Sequence, residues 1–212
     1  TADTRHSFRL AGDYSGDSES ATLSRIQGTA LGGSLNGRLE IRWTDGLRLN
    51  GAMSGKNLDP ARWDPEWAGV IHFDLAGDVS AKAGEPASGA LNLTLKESRL
   101  HGRQLTGDLR ASFAGDDIDI HHLALRGKGF EISARGSIAD QLDFKAEIRD
   151  LARLIPRASG ALTASGWARR RHDRFSGVVS ARGHSLSADG WSIASANFSA
   201  FLDDREKSPF SL

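Results

Sequence analysis

The chain has 212 residues, no cysteine, and 27 acidic against 27 basic side chains, for a formal net charge of zero. The missing cysteines exclude a disulfide framework, a thiolate nucleophile and cysteine-ligated zinc, and the charge balance removes the positive field a general nucleic-acid binder relies on. No apolar run approaches the ~18 residues of a spanning helix and the opening residues are not a signal peptide, so any targeting or anchoring element of a parent protein is expected outside this stretch.

The 24 glycines recur between short alternating segments instead of clustering in one linker, which is the punctuation of a strand-rich chain. A first strand is predicted over residues 8–14, followed by a serine-rich, acidic break at 15–20 and a segment over 21–31 in which Leu23 and Ile26 are unevenly spaced. The pattern then becomes clear. Leu35, Leu39, Ile41 and Trp43 take alternate positions, with Gly37 in the remaining slot, and Asn36, Arg38, Glu40 and Arg42 take the other face. Asp45-Gly46 suits the positive φ values of a tight hairpin turn, after which Leu47 and Leu49 resume the alternation. Asn57-Leu58-Asp59-Pro60 breaks it, residues 61–67 read as a short turn or single helical turn, and a strand restarts over 70–75.

Three features of this region, the run GRLEIRWTDGLRLNGAMSG, the connector NLDPARWDPEWAG with Pro60, Trp63, Pro65, Trp67 and Gly69, and the return to glycine-punctuated strands, make the chain resemble the TamB family within the AsmA-like group of Gram-negative envelope proteins. Trp63 and Trp67 are expected to pin the connector onto the sheet. The looser pattern covers most of the chain, which reads as an internal β-rich fragment because the family's membrane helix and C-terminal region find no counterpart here.

Residues 83–89 form an exposed connector with the same strand grammar on both sides, so 1–212 is read as one elongated repeat-like fragment with a loop subdivision there. Leu91, Leu93 and Leu95 open the next strand; Leu105, Leu109, Ala111 and Phe113 follow, then Ile118 and Ile120, Phe130 and Ile132, and Leu142, Phe144 and Ile148, with strand starts roughly twelve residues apart. One helical turn is expected over 151–155 before Pro156, and strands return at 161–167, 175–181 and 191–201. No segment sustains the helical period over three turns, so the apolar face needs a cover other than a helix.

The polar constellations favour structural readings. Asp117, Asp119 and His121, with Asp116 and His122 beside them, offer metal-ligand chemistry but alternate with Ile118 and Ile120 as a solvated strand face. Arg169 to Arg174 reads as a solvated hairpin loop more readily than as a site for anionic headgroups. His184, Ser185 and Asp189 lack any nucleophile elbow, and Gly127-Lys128-Gly129 completes neither a dinucleotide fingerprint nor a phosphate loop, leaving turn geometry as its explanation. No catalytic residue, metal site or cofactor is expected, and the chain is not read as an enzyme.

The predicted fold is all-β, a long twisted antiparallel sheet curled into a taco-like groove or incomplete β-helical tube with an apolar interior; a β-sandwich is the alternative. The groove is expected to be lined by Leu39, Ile41, Trp43, Leu47, Leu49, Leu91, Leu93, Leu95, Leu109, Phe113, Ile118, Ile120, Phe130, Ile132, Leu142, Phe144 and Ile148. The resemblance implies a periplasmic segment of a bridge-like protein that shields phospholipid or other acyl chains between the inner and outer membranes. The parent is expected to be anchored in the inner membrane and to meet an Omp85-type outer-membrane protein. The alternative implied function is a scaffold for outer-membrane β-barrel assembly by strand addition.

Overall fold

The computed structural model describes residues 9–153, 158–171, 174–188 and 190–202. They form one antiparallel sheet of thirteen strands in strict sequence order. The strands are β1 (Arg9–Gly16), β2 (Ser20–Ala30), β3 (Gly33–Arg42), β4 (Leu47–Leu58), β5 (Gly69–Ala81), β6 (Ser88–Leu100) and β7 (Arg103–Ala114). They continue as β8 (Asp117–Gly127), β9 (Phe130–Ser137), β10 (Gln141–Ile148), β11 (Ala158–Arg171), β12 (Arg174–Ala188) and β13 (Trp191–Leu202). The sheet is not closed: β1 and β13 are each paired on one side alone.

No second layer covers either face among the described residues; the only helical pieces there are 3-10 turns at Pro60–Arg62, Pro65–Trp67 and Leu151–Arg153. The accessible surface of 15195 Å² measures the consequence, since a compact monomer of 22.7 kDa exposes roughly 9,500 Å². The sandwich alternative therefore gives way to the open, curled sheet.

Turn chemistry sets the hairpins. Leu31-Gly32 and His101-Gly102 have positive φ at both residues (47° and 74°, 50° and 74°) and close two-residue connections with the twist that flanking strands require. The Asp45-Gly46 hairpin is wider than expected, and only Gly46 has positive φ. Trp43 is the reason, because its backbone N–H donates to Glu19 O at 3.0 Å and its indole Nε1 to Ser18 O at 2.7 Å, drawing it out of the β3–β4 ladder onto the β1–β2 turn. Asp17 organises that turn by accepting from the N–H groups of Glu19 and Ser20, which hold its carboxyl below the ordinary value.

The connector between β4 and β5 forms two 3-10 turns, each opened by an aspartate that accepts from a backbone N–H two residues on, Asp59 from Ala61 and Asp64 from Glu66. It is tied down by the Asp59 N–H to Leu31 O bond at 2.9 Å and by buried Leu58, not by its tryptophans. Trp63 is 78% exposed and Trp67 52%, so the expectation that they pin the connector is corrected. The turn expected over 151–155 is present as Leu151–Arg153, and residues 154–157 lie outside the described ones.

Glycines sit where a large neighbour occupies the next strand. A Cβ on Gly89 would lie 2.8 Å from the Phe113 ring, and one on Gly166 would overlap the Val178 carbonyl oxygen and come within 2.8 Å of Phe144 Cζ. Because backbone cannot retreat as a side-chain tip can, Gly166→Val is expected to cost about 2 kcal/mol and lower Tm by about 4–8 °C. Thermal melts followed by far-UV circular dichroism check this; an unchanged Tm would show that β10 to β12 tolerate separation.

Candidate functional site

Register builds a single apolar face. One row of directly opposed residues crosses the whole sheet, from Tyr14 on β1 through Leu23, Leu39, Gly51, Gly77, Leu91, Ala111, Ile120, Gly136, Leu142, Ala168 and Gly177 to Leu202 on β13. The neighbouring row runs from Ile26 through Gly37, Met53, Leu75, Leu93, Leu109, Leu123, Ala134, Phe144, Gly166 and Val179 to Ala200. At about 4.8 Å per strand, twelve spacings give a strip on the order of 60 Å long.

The strip stays on one face because β2, β4, β6, β8 and β12 each carry an extra residue. In β2 two residues, Ser24 and Arg25, oppose the single Arg38 of β3; in β4 Lys56 and Asn57 oppose His72; in β6 Lys96 and Glu97 oppose Thr106; in β8 His121 and His122 oppose Arg135; and in β12 Ser185 and Leu186 oppose Gly160. Three of these bulges hold a non-glycine residue at positive φ: Arg25, Asn57 and Ser185. Each bulge resets the alternation and bends its strand, which coils the sheet. The bulge of β6 is sealed by Ser98, 1% exposed, whose hydroxyl donates to His72 O and accepts from His72 N–H.

Where the strip is concave it forms a trough that runs across the strands. A cavity of about 500 Å³ reaches from Leu10 on β1 to Leu91 on β6, with Leu23, Leu39, Leu49, Met53, Leu75 and Val79 between them. Five strand spacings make it ~24 Å long, and its volume lies in the range of small-ligand sites. Every anticipated lining residue except Trp43 lies on a strand and on this face: Leu39, Ile41, Leu47, Leu49, Leu91, Leu93, Leu95, Leu109, Phe113, Ile118, Ile120, Phe130, Ile132, Leu142, Phe144 and Ile148. None is fully buried; Leu47, Leu91 and Ile118 are exposed and the others half-buried. Trp43 sits instead at the β1–β2 turn.

The trough also includes residues not anticipated as lining it, among them Leu10, Leu23, Ile26, Met53 and Val79. The missed signal was the i, i+3 step between apolar residues, Leu23 to Ile26 and Ile120 to Leu123, that marks a bulge inside a period-two strand.

The opposite face is polar from β3 to β10, where it carries the exposed ion pairs Arg42–Glu40, Lys96–Asp74, Arg126–Glu131 and Lys145–Glu147, and at β11 to β13 it bears the opposed apolar row Trp167, Val178 and Phe201. The hydrogen bond between Lys145 and Glu147 raises the Lys145 pKa and lowers that of Glu147. Asp117, Asp119 and His121 lie on the exposed outer face, as anticipated: Asp119 pairs with Ser112, whose Oγ is 2.9 Å from His121 Nε2, and the bulge at 121–122 adds His122 beside them, with its Nε2 2.8 Å from Asp108 Oδ2. Among the described residues no group of His, Asp and Glu is placed to hold a metal ion. Arg169 to Arg171 belong to β11 and not to a loop, with Arg169 Nε donating to Ser176 Oγ and its guanidinium 5.6 Å from the Trp167 ring centre. His172, Asp173 and Asp189 lie outside the described residues.

A sequence profile described as TamB, N-terminal domain, matches residues 4–208. The chain belongs to the TamB family. This is the family of the translocation and assembly module, a non-enzymatic assembly and transport component of the cell envelope. No curated protein and no solved structure matches the chain. No helix of the described TamB residues is long and apolar enough to cross a membrane.

In this TamB domain the strip faces an open trough, so a carboxylate placed on it can hydrate. Ile41→Asp, Leu109→Asp and Phe144→Asp are therefore expected to lose only partial burial, about 1–2 kcal/mol, and to lower Tm by about 3–6 °C. A fall beyond about 10 °C in all three, the size of an uncompensated charge in a sealed core, would rule out an open trough at these positions.

Proposed function

We propose that this domain shields lipid acyl chains in transit across the periplasm, as one segment of a longer trough. The carrying observation is the apolar strip that crosses all thirteen strands without a charged side chain in either of its central rows. A dozen half-exposed Leu, Ile and Phe side chains leave on the order of 10 kcal/mol of burial unrealised, comparable with a domain's net stability, and an apolar occupant would recover it. Acyl chains suit such a surface because they require dispersion contact and exclusion of water without directional hydrogen bonds. In this reading the parent is anchored in the inner membrane and reaches an Omp85-type outer-membrane partner.

Native mass spectrometry and lipid extraction of protein purified without detergent should find phospholipid or fatty acid bound. A fluorescent fatty acid should bind to the parent and lose at least about tenfold in affinity in Leu109→Asp. Absence of both native lipid and fatty-acid binding would reject the conduit.

The edge strands favour a second reading, strand addition by client β-barrel proteins. β13 exposes Trp191 (80%), Phe198 (60%) and Phe201 (77%) beside a backbone edge that is unpaired among the described residues, the arrangement that accepts an incoming strand. Proline scanned along β13 separates the two. Where the replaced N–H faces away from β12, the conduit reading expects fatty-acid affinity within about twofold of the parent, whereas strand addition expects loss of client β-strand peptide capture.

A further inference from the structure

One stretch of the trough's rim gathers cations. At the β6–β7 and β8–β9 turns, Arg99, Arg103 and Lys128 surround a cavity of about 310 Å³ whose lining contains Gln104 and Phe130 and no carboxylate. Among the described residues none of these three cations is ion-paired. Arg103 spends one N–H on Ala152 O at 3.2 Å, which leaves the other donors of its fork uncommitted.

Phe130 joins this cavity to the apolar strip, where it stands opposite Gly127 on β8 and Ile148 on β10. The far ends of the same strands are acidic, with Asp116 and Asp117 at the β7–β8 turn and Asp140 at the β9–β10 turn. Three cations facing one cavity repel one another, and an anion between them relieves that repulsion. Planar guanidinium forks match the oxygens of a phosphate in particular.

We propose that this cavity receives the phosphate head of an amphiphile whose acyl chain lies in the trough, so that the cargo is held with its head at the β6–β7 and β8–β9 turns and away from Asp116, Asp117 and Asp140. The proposal rests on the trough carrying an acyl chain, and it adds to that reading the residues that meet the head and an orientation. It also gives Lys128, otherwise an ordinary turn residue between two glycines, a ligand.

The test is calorimetric titration of the whole chain with dodecyl phosphate, uncharged dodecyl maltoside and inorganic phosphate, all below micelle-forming concentrations. Dodecyl phosphate is expected to bind about tenfold more tightly than dodecyl maltoside, and inorganic phosphate only weakly. The double variant Arg99→Gln/Lys128→Gln changes two exposed side chains and should abolish the preference while leaving dodecyl maltoside binding and Tm unchanged. Arg99→Lys/Lys128→Arg, which keeps both charges, should retain the preference.

A preference that survives in the glutamine variant overturns the headgroup site and leaves the trough standing. Inorganic phosphate bound as tightly as dodecyl phosphate also overturns it, because the anion would then be held without help from the chain. If neither dodecyl compound binds, the acyl-chain reading fails and carries the headgroup site with it.

Discussion

Register is the constraint on which the molecule depends. Side chains alternate between faces, so a one-residue slip in any pairing would turn an apolar set to the outer face and a charged set into the trough. The chain keeps thirteen strands in phase with two devices: short turns that fix each pairing, and a bulge wherever the sequence alternation would otherwise drift. The bulges fall on β2, β4, β6, β8 and β12, so the same extra residues that preserve the apolar face also bend the strands around it.

Packing follows from this geometry. With no second layer among the described residues, a side chain on the strip finds its partners there on adjacent strands, and size matching across the ladder replaces interdigitation between layers. Phe73 faces Gly55, Phe113 faces Gly89, Phe130 faces Gly127 and Phe144 faces Gly166, so a ring lies over a neighbour that has no side chain. Stability is then summed strand by strand along the array, as in solenoids, and the fully buried set is confined to a few residues such as Leu35, Leu58, Ala124 and Leu151.

The arrangement links architecture to role. An ordinary domain spends its apolar surface on its own core, whereas here the surface remains half exposed along a trough, with a cluster of three cations at one stretch of its rim. In the proposed reading an amphiphile meets two chemistries there, dispersion along the trough and an ionic contact at the cationic stretch of its rim.

Much of this was legible in the sequence because it is local. Alternation at Leu39 and Ile41, at Leu91 to Leu95 and at Phe130 to Ile132 reports a strand with one dry side, and glycine spacing reports where strands end. The family was also legible, in the run around Trp43 and the proline-tryptophan connector. What the sequence left open was whatever depends on residues far apart in the chain. Alternation is the same on the inner wall of a sandwich as in an open trough, and only the absence of an opposing layer separates them. Trp63 and Trp67 carry the composition of core residues but stand in solvent, because the turns capped by Asp59 and Asp64 face them outward. The cations Arg99, Arg103 and Lys128 belong to two separate turns, and only the pairing of β7 with β8 brings those turns to the same rim. Local periodicity determines which face of a strand is dry; long-range pairing alone decides what that face meets.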